Sequence, residues 1–162
     1  ITSIVGRDSV MSAAQETFIS STFWTERIGP SAALKTLEVM EREKSWEKIT
    51  SIGASLKQSW AELAANYNLK IKLSGIPALA TFNFESKHAL EYKTLITQEM
   101  LKKGFLASNT CYVCIEHKPE VISQYLTALD EVFSLIKKCE EGLPVHEVLE
   151  GPVCHKRFVR LN

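Results

Sequence analysis

The sequence predicts an α/β fold with three strands, and the main evidence is the spacing of apolar residues after Ser45. Apolar residues recur first at helical spacing and then at every second position, and these two patterns alternate along the chain up to about residue 144. The resulting order is helix, strand, strand, helix, strand, helix, in which the first two strands can form a hairpin. A length of 162 residues with 45% hydrophobic content is enough for a compact core.

The first part of the chain predicts a strand, a turn and a helix. Residues 1–5 are rich in β-branched side chains and end at Gly6, and either Asp8 or Ser9 is suited to cap a helix over residues 10–18. A chain that opens in this way, without an initiator methionine, is expected to be a piece of a longer protein.

A polar, hydroxyl-rich loop at residues 20–29 precedes a helix predicted over residues 30–44, whose first turn suits Pro30. The free N–H groups and the positive dipole end at a helix start attract phosphate, so this loop is a candidate phosphate site. Taken alone, the pattern favours the simpler interpretation that the hydroxyls satisfy backbone groups of the loop.

The second part of the chain contains the helices and strands of the predicted sheet domain. Helices are expected where apolar residues keep one face, and strands where they alternate or form short β-prone runs. The predicted elements are a helix from Ser45 to about Asn66, strands at 69–73 and 79–85, a helix that ends at Gly104, a strand at 110–116, and a helix from Pro119 that stops at Gly142.

Composition excludes several classes of function. Nineteen basic residues balance nineteen acidic ones, so the chain lacks the charge that gathers nucleic acid or anionic lipid. No apolar stretch approaches the roughly 20 residues of a membrane-spanning helix. No secretory signal follows Ile1, and four irregularly spaced cysteines suit reduced thiols. We therefore predict a soluble, cytoplasmic protein.

Cys111, Cys114 and His117 have the spacing of half a zinc site, which Cys154 and His155 would complete. On a strand, however, side chains three residues apart face opposite sides about 10 Å apart. Buried thiols that act as small apolar residues are therefore the expected interpretation, and no metal site is predicted. None of the four histidines lies beside a nucleophile in a known motif, so no catalytic residue is assigned.

Four segments resemble, in the same order, segments of class III, fold-type I pyridoxal-phosphate aminotransferases, and glutamate semialdehyde aminomutase is the branch that they resemble most. Residues 21–37 resemble the family segment that reads threonine, a few residues, glycine, a residue, proline and an alanine-rich helix. The other three segments are a turn at 74–78, a helix ending in glycine at 98–107, and the opening of the last helix at 115–122. The resemblance extends over about residues 1–140.

The resemblance implies a domain organisation. Residues 1–29 would end the large cofactor-binding domain, and residues 30–44 would form a linking helix. Residues 45–162 would form the C-terminal small domain, a three-stranded, mostly antiparallel sheet packed against helices. The implied activity is amino-group transfer on an amino acid, a semialdehyde or an amino-sugar precursor. It uses pyridoxal 5'-phosphate in a homodimer with a small-molecule amino donor and acceptor.

The resemblance also implies cofactor contacts. The family uses a threonine of this loop to bind the cofactor phosphate of the neighbouring subunit, and Thr22 and Thr25 both fit that role. The Schiff-base lysine of the family would precede residue 1, so this chain alone is expected to be inactive. The sequence departs from the family pattern at residues 26–28, Glu-Arg-Ile, where a Ser-Gly pair is usual. The alternative function is a non-catalytic α/β binding or dimerisation domain.

Overall fold

The protein is described by a computed structural model that covers residues 4–19, 22–23 and 26–156. The chain divides into two compact units, Ile1–Ser45 and Trp46–Asn162. The first unit carries the predicted phosphate loop, and the second carries the sheet.

The first unit contains helical segments and, among its described residues, no strand. Residues 4 and 5, predicted to be β, lie outside any strand because no described segment pairs with them. The helix predicted over residues 10–18 is wrong in extent. Ser12 and Thr17 donate their hydroxyls to nearby backbone carbonyls, and such bonds compete with a regular helix. The observed segments are α1 (Asp8–Met11), a 3-10 helix (Ser12–Glu16) and α2 (Ile28–Glu43).

Helix α2 starts two residues before Pro30 and ends at Glu43, and the next residue, Lys44, takes a left-handed conformation with φ of 47°. A non-glycine residue in that conformation breaks the helix, so α2 and the next helix are separate. None of the described residues of α2 is buried, and its apolar side chains Leu34 and Leu37 are 70% and 61% exposed.

The second unit has the predicted α/β fold. Its sheet is antiparallel with strand order β1-β2-β3, in which Leu73 pairs with Phe82 and Ala80 pairs with Cys111. All the predicted helices and strands of this part are present, and one short helix was not predicted. The elements are α3 (Ser45–Asn66), β1 (Ile71–Ser74), β2 (Leu79–Phe84), α4 (Ala89–Lys102), β3 (Thr110–Tyr112), α5 (Pro119–Glu140) and the additional α6 (Val145–Val148).

Strand β3 is shorter than predicted because its partner strand ends. The Val113 amide still donates to the Ala78 carbonyl at 3.0 Å, but β2 begins only at Leu79, and the preceding Pro77 has no amide proton to continue the ladder. The chain then turns, and the His117 amide donates to the Cys114 carbonyl at 3.1 Å. Cys114 therefore lies beyond the strand.

The core lies between one face of the sheet and the helices. Alternate residues of β2 point inward, so Ala80 and Phe82 are fully buried. The ring of Phe82 packs 4.8 Å from Trp60 of α3 and 5.8 Å from Phe133 of α5, measured between centroids. Tyr92 of α4 closes the cluster. The sheet is thus held against three helices by aromatic contacts.

Two glycines set the β1–β2 turn against α3. Gly75 has φ of 74°, and a Cβ there would lie 2.1 Å from the Leu79 carbonyl oxygen. Gly53, in the middle of α3, is buried where a Cβ would lie 1.9 Å from the Pro77 carbonyl oxygen. Lys57 donates to the Gly75 carbonyl at 2.8 Å. The helix and the turn therefore approach backbone to backbone.

Candidate functional site

The predicted phosphate loop lies in the first unit, directly before α2. Thr22 is in a turn, and its side chain is exposed. Thr25 lies outside the described residues, as do Ser20, Ser21 and Trp24. The structure therefore describes one of the two candidate threonines, and that threonine is exposed.

The Glu26 side chain accepts hydrogen bonds from the first two backbone N–H groups of α2. Its carboxylate accepts from the Ile28 amide at 2.5 Å and from the Gly29 amide at 3.0 Å. Backbone hydrogen bonds from Gly29 and Ile28 lower the pKa of Glu26 below its ordinary value, so the carboxylate is charged at neutral pH. Glu26 is one of the three residues, 26–28, at which the sequence departs from the family pattern, and its structural role is to cap α2.

The cap decides how a phosphate would fit this loop. A phosphate at the start of α2 would compete with a carboxylate for the same two N–H groups, and two anions at one site repel. A hydroxyl of an exposed loop residue such as Thr22 does not face this competition. The residues present do not fit a phosphate held by the helix N-terminus. Sequence reasoning missed the role of Glu26, although an acidic residue next to a helix start was a usable signal.

A lysine that forms a Schiff base needs a neutral amine in a desolvated or cationic setting. All fourteen lysines are described, and none is buried. Lys57 bonds the Gly75 carbonyl, and Lys102 lies 2.6 Å from Glu150 and 2.7 Å from Glu99. The hydrogen bonds that Lys102 donates to the Glu150 and Glu99 carboxylates raise its pKa, which holds it as a cation.

The cysteine and histidine residues singled out by spacing do not form a cluster. Within residues 4–19, 22–23 and 26–156 no three His, Cys, Asp or Glu side chains are placed to hold one metal ion. The Cys114 amide donates to Nδ1 of His117 at 3.2 Å, and the Cys154 amide donates to Thr94 at 2.9 Å. Burial raises the pKa of the Cys111 thiol. His155 is exposed near the end of the described chain.

Curated proteins similar to this chain carry aminotransferase or aminomutase names. The chain is 24% identical over 144 residues to 3-aminobutyryl-CoA aminotransferase of Cloacimonas acidaminovorans, covering 85% of the chain and 35% of that protein. It is 28% identical to acetylornithine aminotransferase of Methanocaldococcus jannaschii, covering 85% of the chain and 35% of that protein. It is 23% identical to glutamate-1-semialdehyde 2,1-aminomutase of the same organism, covering 82% of the chain and 35% of that protein. The chain spans about a third of the length of the relatives it matches. No family model matches the sequence.

The fold agrees with these sequence matches. The structure of the internal aldimine form, with pyridoxal phosphate, of FumI from Sphingopyxis sp. MTA144 superposes with a TM-score of 0.75 at 20% identity, covering 89% of this chain and 35% of that one. None of the described helices is both long and apolar enough to cross a membrane. The resemblance predicted from the sequence is confirmed, because the chain is similar in sequence and in fold to pyridoxal-phosphate aminotransferases and aminomutases. The third of their length that it covers fits their C-terminal part.

Proposed function

We propose that the chain is the C-terminal part of a pyridoxal-phosphate aminotransferase or aminomutase that acts on an amino acid, a semialdehyde or an amino-sugar precursor. The observation that carries the proposal is that two sequence matches each cover 85% of the chain and the fold match covers 89% of it. In this assignment residues 1–29 end the large domain, residues 30–44 form the helix that links the two domains, and residues 45–162 form the small domain.

We propose that Thr22 or Thr25 donates its hydroxyl to the cofactor phosphate of the neighbouring subunit in a homodimer. The exposure of Thr22 and the occupation of the α2 donors by Glu26 support a hydroxyl contact. When bound, the cofactor supplies an electron sink for the substrate amine and its α-carbon. The role of this chain is to hold the phosphate and to supply the small domain that excludes water from the substrate.

None of the fourteen lysines forms the Schiff base in this proposal, so the chain alone is inactive. The absence of a buried lysine, together with the carboxylates that keep Lys102 charged, supports this assignment. The reacting lysine then lies in a part of the protein outside these 162 residues.

The test is an amino-transfer assay on the longer polypeptide that carries this chain, with glutamate as amino donor. Loss of one charge-assisted hydrogen bond predicts cofactor affinity about ten- to a hundredfold weaker for Thr22→Ala or for Thr25→Ala. Thr17→Ala is the matched control, because Thr17 bonds the Ala14 carbonyl outside the loop. If both loop variants bind the cofactor as tightly as Thr17→Ala does, the phosphate contact is wrong. If glutamate and a panel of other amino donors all fail, the transferase assignment is wrong.

A second candidate function is a non-catalytic dimerisation domain, and the exposed apolar residues of α2 favour it. Leu34 and Leu37 lie one turn apart and are both largely exposed, which is typical of a helix face that another surface covers. This candidate predicts a dimer of the 162-residue chain in sedimentation equilibrium that Leu37→Glu dissociates. It also predicts no amino transfer by the longer polypeptide.

A further inference from the structure

A cavity of about 270 Å³ lies in the second unit, between β3, the first turns of α5 and the segment before β3. This volume lies at the low end of the roughly 300–1,000 Å³ of ligand pockets, so its occupant would be small. Its lining is mostly apolar and includes Phe105, Val121 and Ile122, and it is open to solvent, because its lining residues Leu106 and Tyr112 are 95% and 78% exposed. Apolar walls with a few placed polar groups are the usual make-up of small-molecule sites.

Tyr125 offers a hydrogen-bond donor in this wall. Nε1 of Trp60 lies 3.1 Å from the Tyr125 hydroxyl oxygen, and an indole nitrogen can only donate, so the oxygen accepts. The phenolic proton then has no acceptor among the hydrogen bonds of the described residues. Burial raises the pKa of Tyr125, which keeps that proton in place at neutral pH. The edge-on ring of Phe105, 6.0 Å away, holds the phenol in position.

His117 offers a second donor at the same cavity. The Cys114 amide donates to its Nδ1 at 3.2 Å, so Nδ1 carries no proton. A neutral imidazole with an unprotonated Nδ1 carries its proton on Nε2. Nε2 has no partner among the hydrogen bonds of the part of the chain that is described. Two donors, on Tyr125 and His117, therefore lie in the lining of one apolar cavity.

The charge of the lining selects the chemistry of the occupant. No Asp, Glu, Lys or Arg belongs to the lining, all of which is described. Moving a charged group out of water without a charged partner has a large free-energy cost of desolvation. A neutral acceptor that forms a hydrogen bond with a donor in the cavity does not have that cost. We propose that this cavity is a binding site for a small, uncharged, largely apolar molecule with one hydrogen-bond acceptor, such as an amide, ester or ketone. The site belongs to the second unit alone and does not depend on the proposed aminotransferase function.

The test is a titration of the full 162-residue chain with three probes that differ in charge: 2-phenylacetamide, phenylacetate and 2-phenylethylamine. Amide chemical shifts are followed by NMR at about pH 8, where ordinary histidines are neutral. We expect saturable shifts of residues 105–112 and 121–125 with 2-phenylacetamide. We expect both charged probes to bind about tenfold more weakly or worse. Equal or tighter binding of a charged probe, or the absence of saturable shifts at these residues, would overturn the proposal.

Two variants test the site itself. Tyr125→Phe removes the donor and should weaken 2-phenylacetamide binding about three- to tenfold, whereas Tyr67→Phe, a matched change outside the cavity, should not. Tyr125→Phe also leaves Trp60 Nε1 without its acceptor. Ala107→Leu therefore provides a second test, because it places a branched side chain in the cavity and should abolish binding. Unchanged affinity in Ala107→Leu would contradict the assignment whether or not Tyr125→Phe folds.

Discussion

Replacing Gly53 by alanine tests how closely α3 approaches the turn between β1 and β2. The new Cβ would lie 1.9 Å from the Pro77 carbonyl oxygen, and such contacts are essentially never shorter than 3.0 Å. The helix and the turn must therefore separate by about 1.1 Å, the difference between those two distances. The obstructing atom belongs to the backbone, so no rotamer change relieves it.

Two opposing effects decide the sign of this change. Alanine gains about 1 kcal/mol over glycine inside a helix. Overpacking costs about 1–3 kcal/mol, and a backbone clash lies at the upper end of that range. We expect a net loss of about 2 kcal/mol, which corresponds to a fall in Tm of about 4–8 °C in thermal unfolding followed by circular dichroism.

Gly151→Ala is the matched control, because a Cβ at Gly151 meets nothing within 4 Å and its φ is not positive. Its effect should stay within about 0.5 kcal/mol. If Gly53→Ala instead raises the Tm, helix propensity outweighs packing, and the close approach of α3 to Pro77 is wrong.

Two further predictions concern groups whose surroundings the structure defines. Burial raises the pKa values of Tyr92 and Tyr125 above their ordinary 10.0. Both tyrosines therefore bind their protons more tightly in the folded than in the unfolded state. Their contribution to stability is constant below about pH 10, and the urea midpoint should fall as the pH rises above that value. A pH-independent midpoint up to pH 11 would contradict this, and Tyr92→Phe should make the fall shallower. Gln98 accepts from the Glu150 amide at 2.7 Å and donates to the Val148 carbonyl at 2.8 Å. Gln98→Ala should cost about 1–2 kcal/mol and speed hydrogen exchange at Glu150. Gln58→Ala, which removes an exposed contact with Glu62, should do neither.

Periodicity predicted the second unit well because its helices and strands bury one face each. The α5 stripe and the inward residues of β2 are the same residues that form the core, so apolar spacing and burial agree there. The first unit lacks that agreement. No residue of α2 is buried, and local hydroxyl bonds shape the segment before it. Spacing alone therefore misplaced the helix predicted over residues 10–18.

Features set by contacts distant in sequence were beyond prediction from one sequence. The hydrogen bond from the Glu150 amide to the Gln98 side chain joins residues 52 positions apart, and the close approach of Gly53 to Pro77 depends on where the turn lies. The cavity donor on Tyr125 depends on Trp60, 65 positions away. Glu26 is the exception among the site residues, since a carboxylate beside a helix start is a local signal.

The most direct test of the central claim is to map the cofactor lysine. The longer polypeptide that carries this chain is purified with pyridoxal phosphate and reduced with borohydride, and its peptides are analysed by mass spectrometry. The proposed function predicts one stoichiometric phosphopyridoxyl-lysine outside these 162 residues. A stoichiometric label on any of the fourteen lysines of this chain would contradict the division of roles, and no label on any lysine would contradict the assignment to pyridoxal-phosphate enzymes.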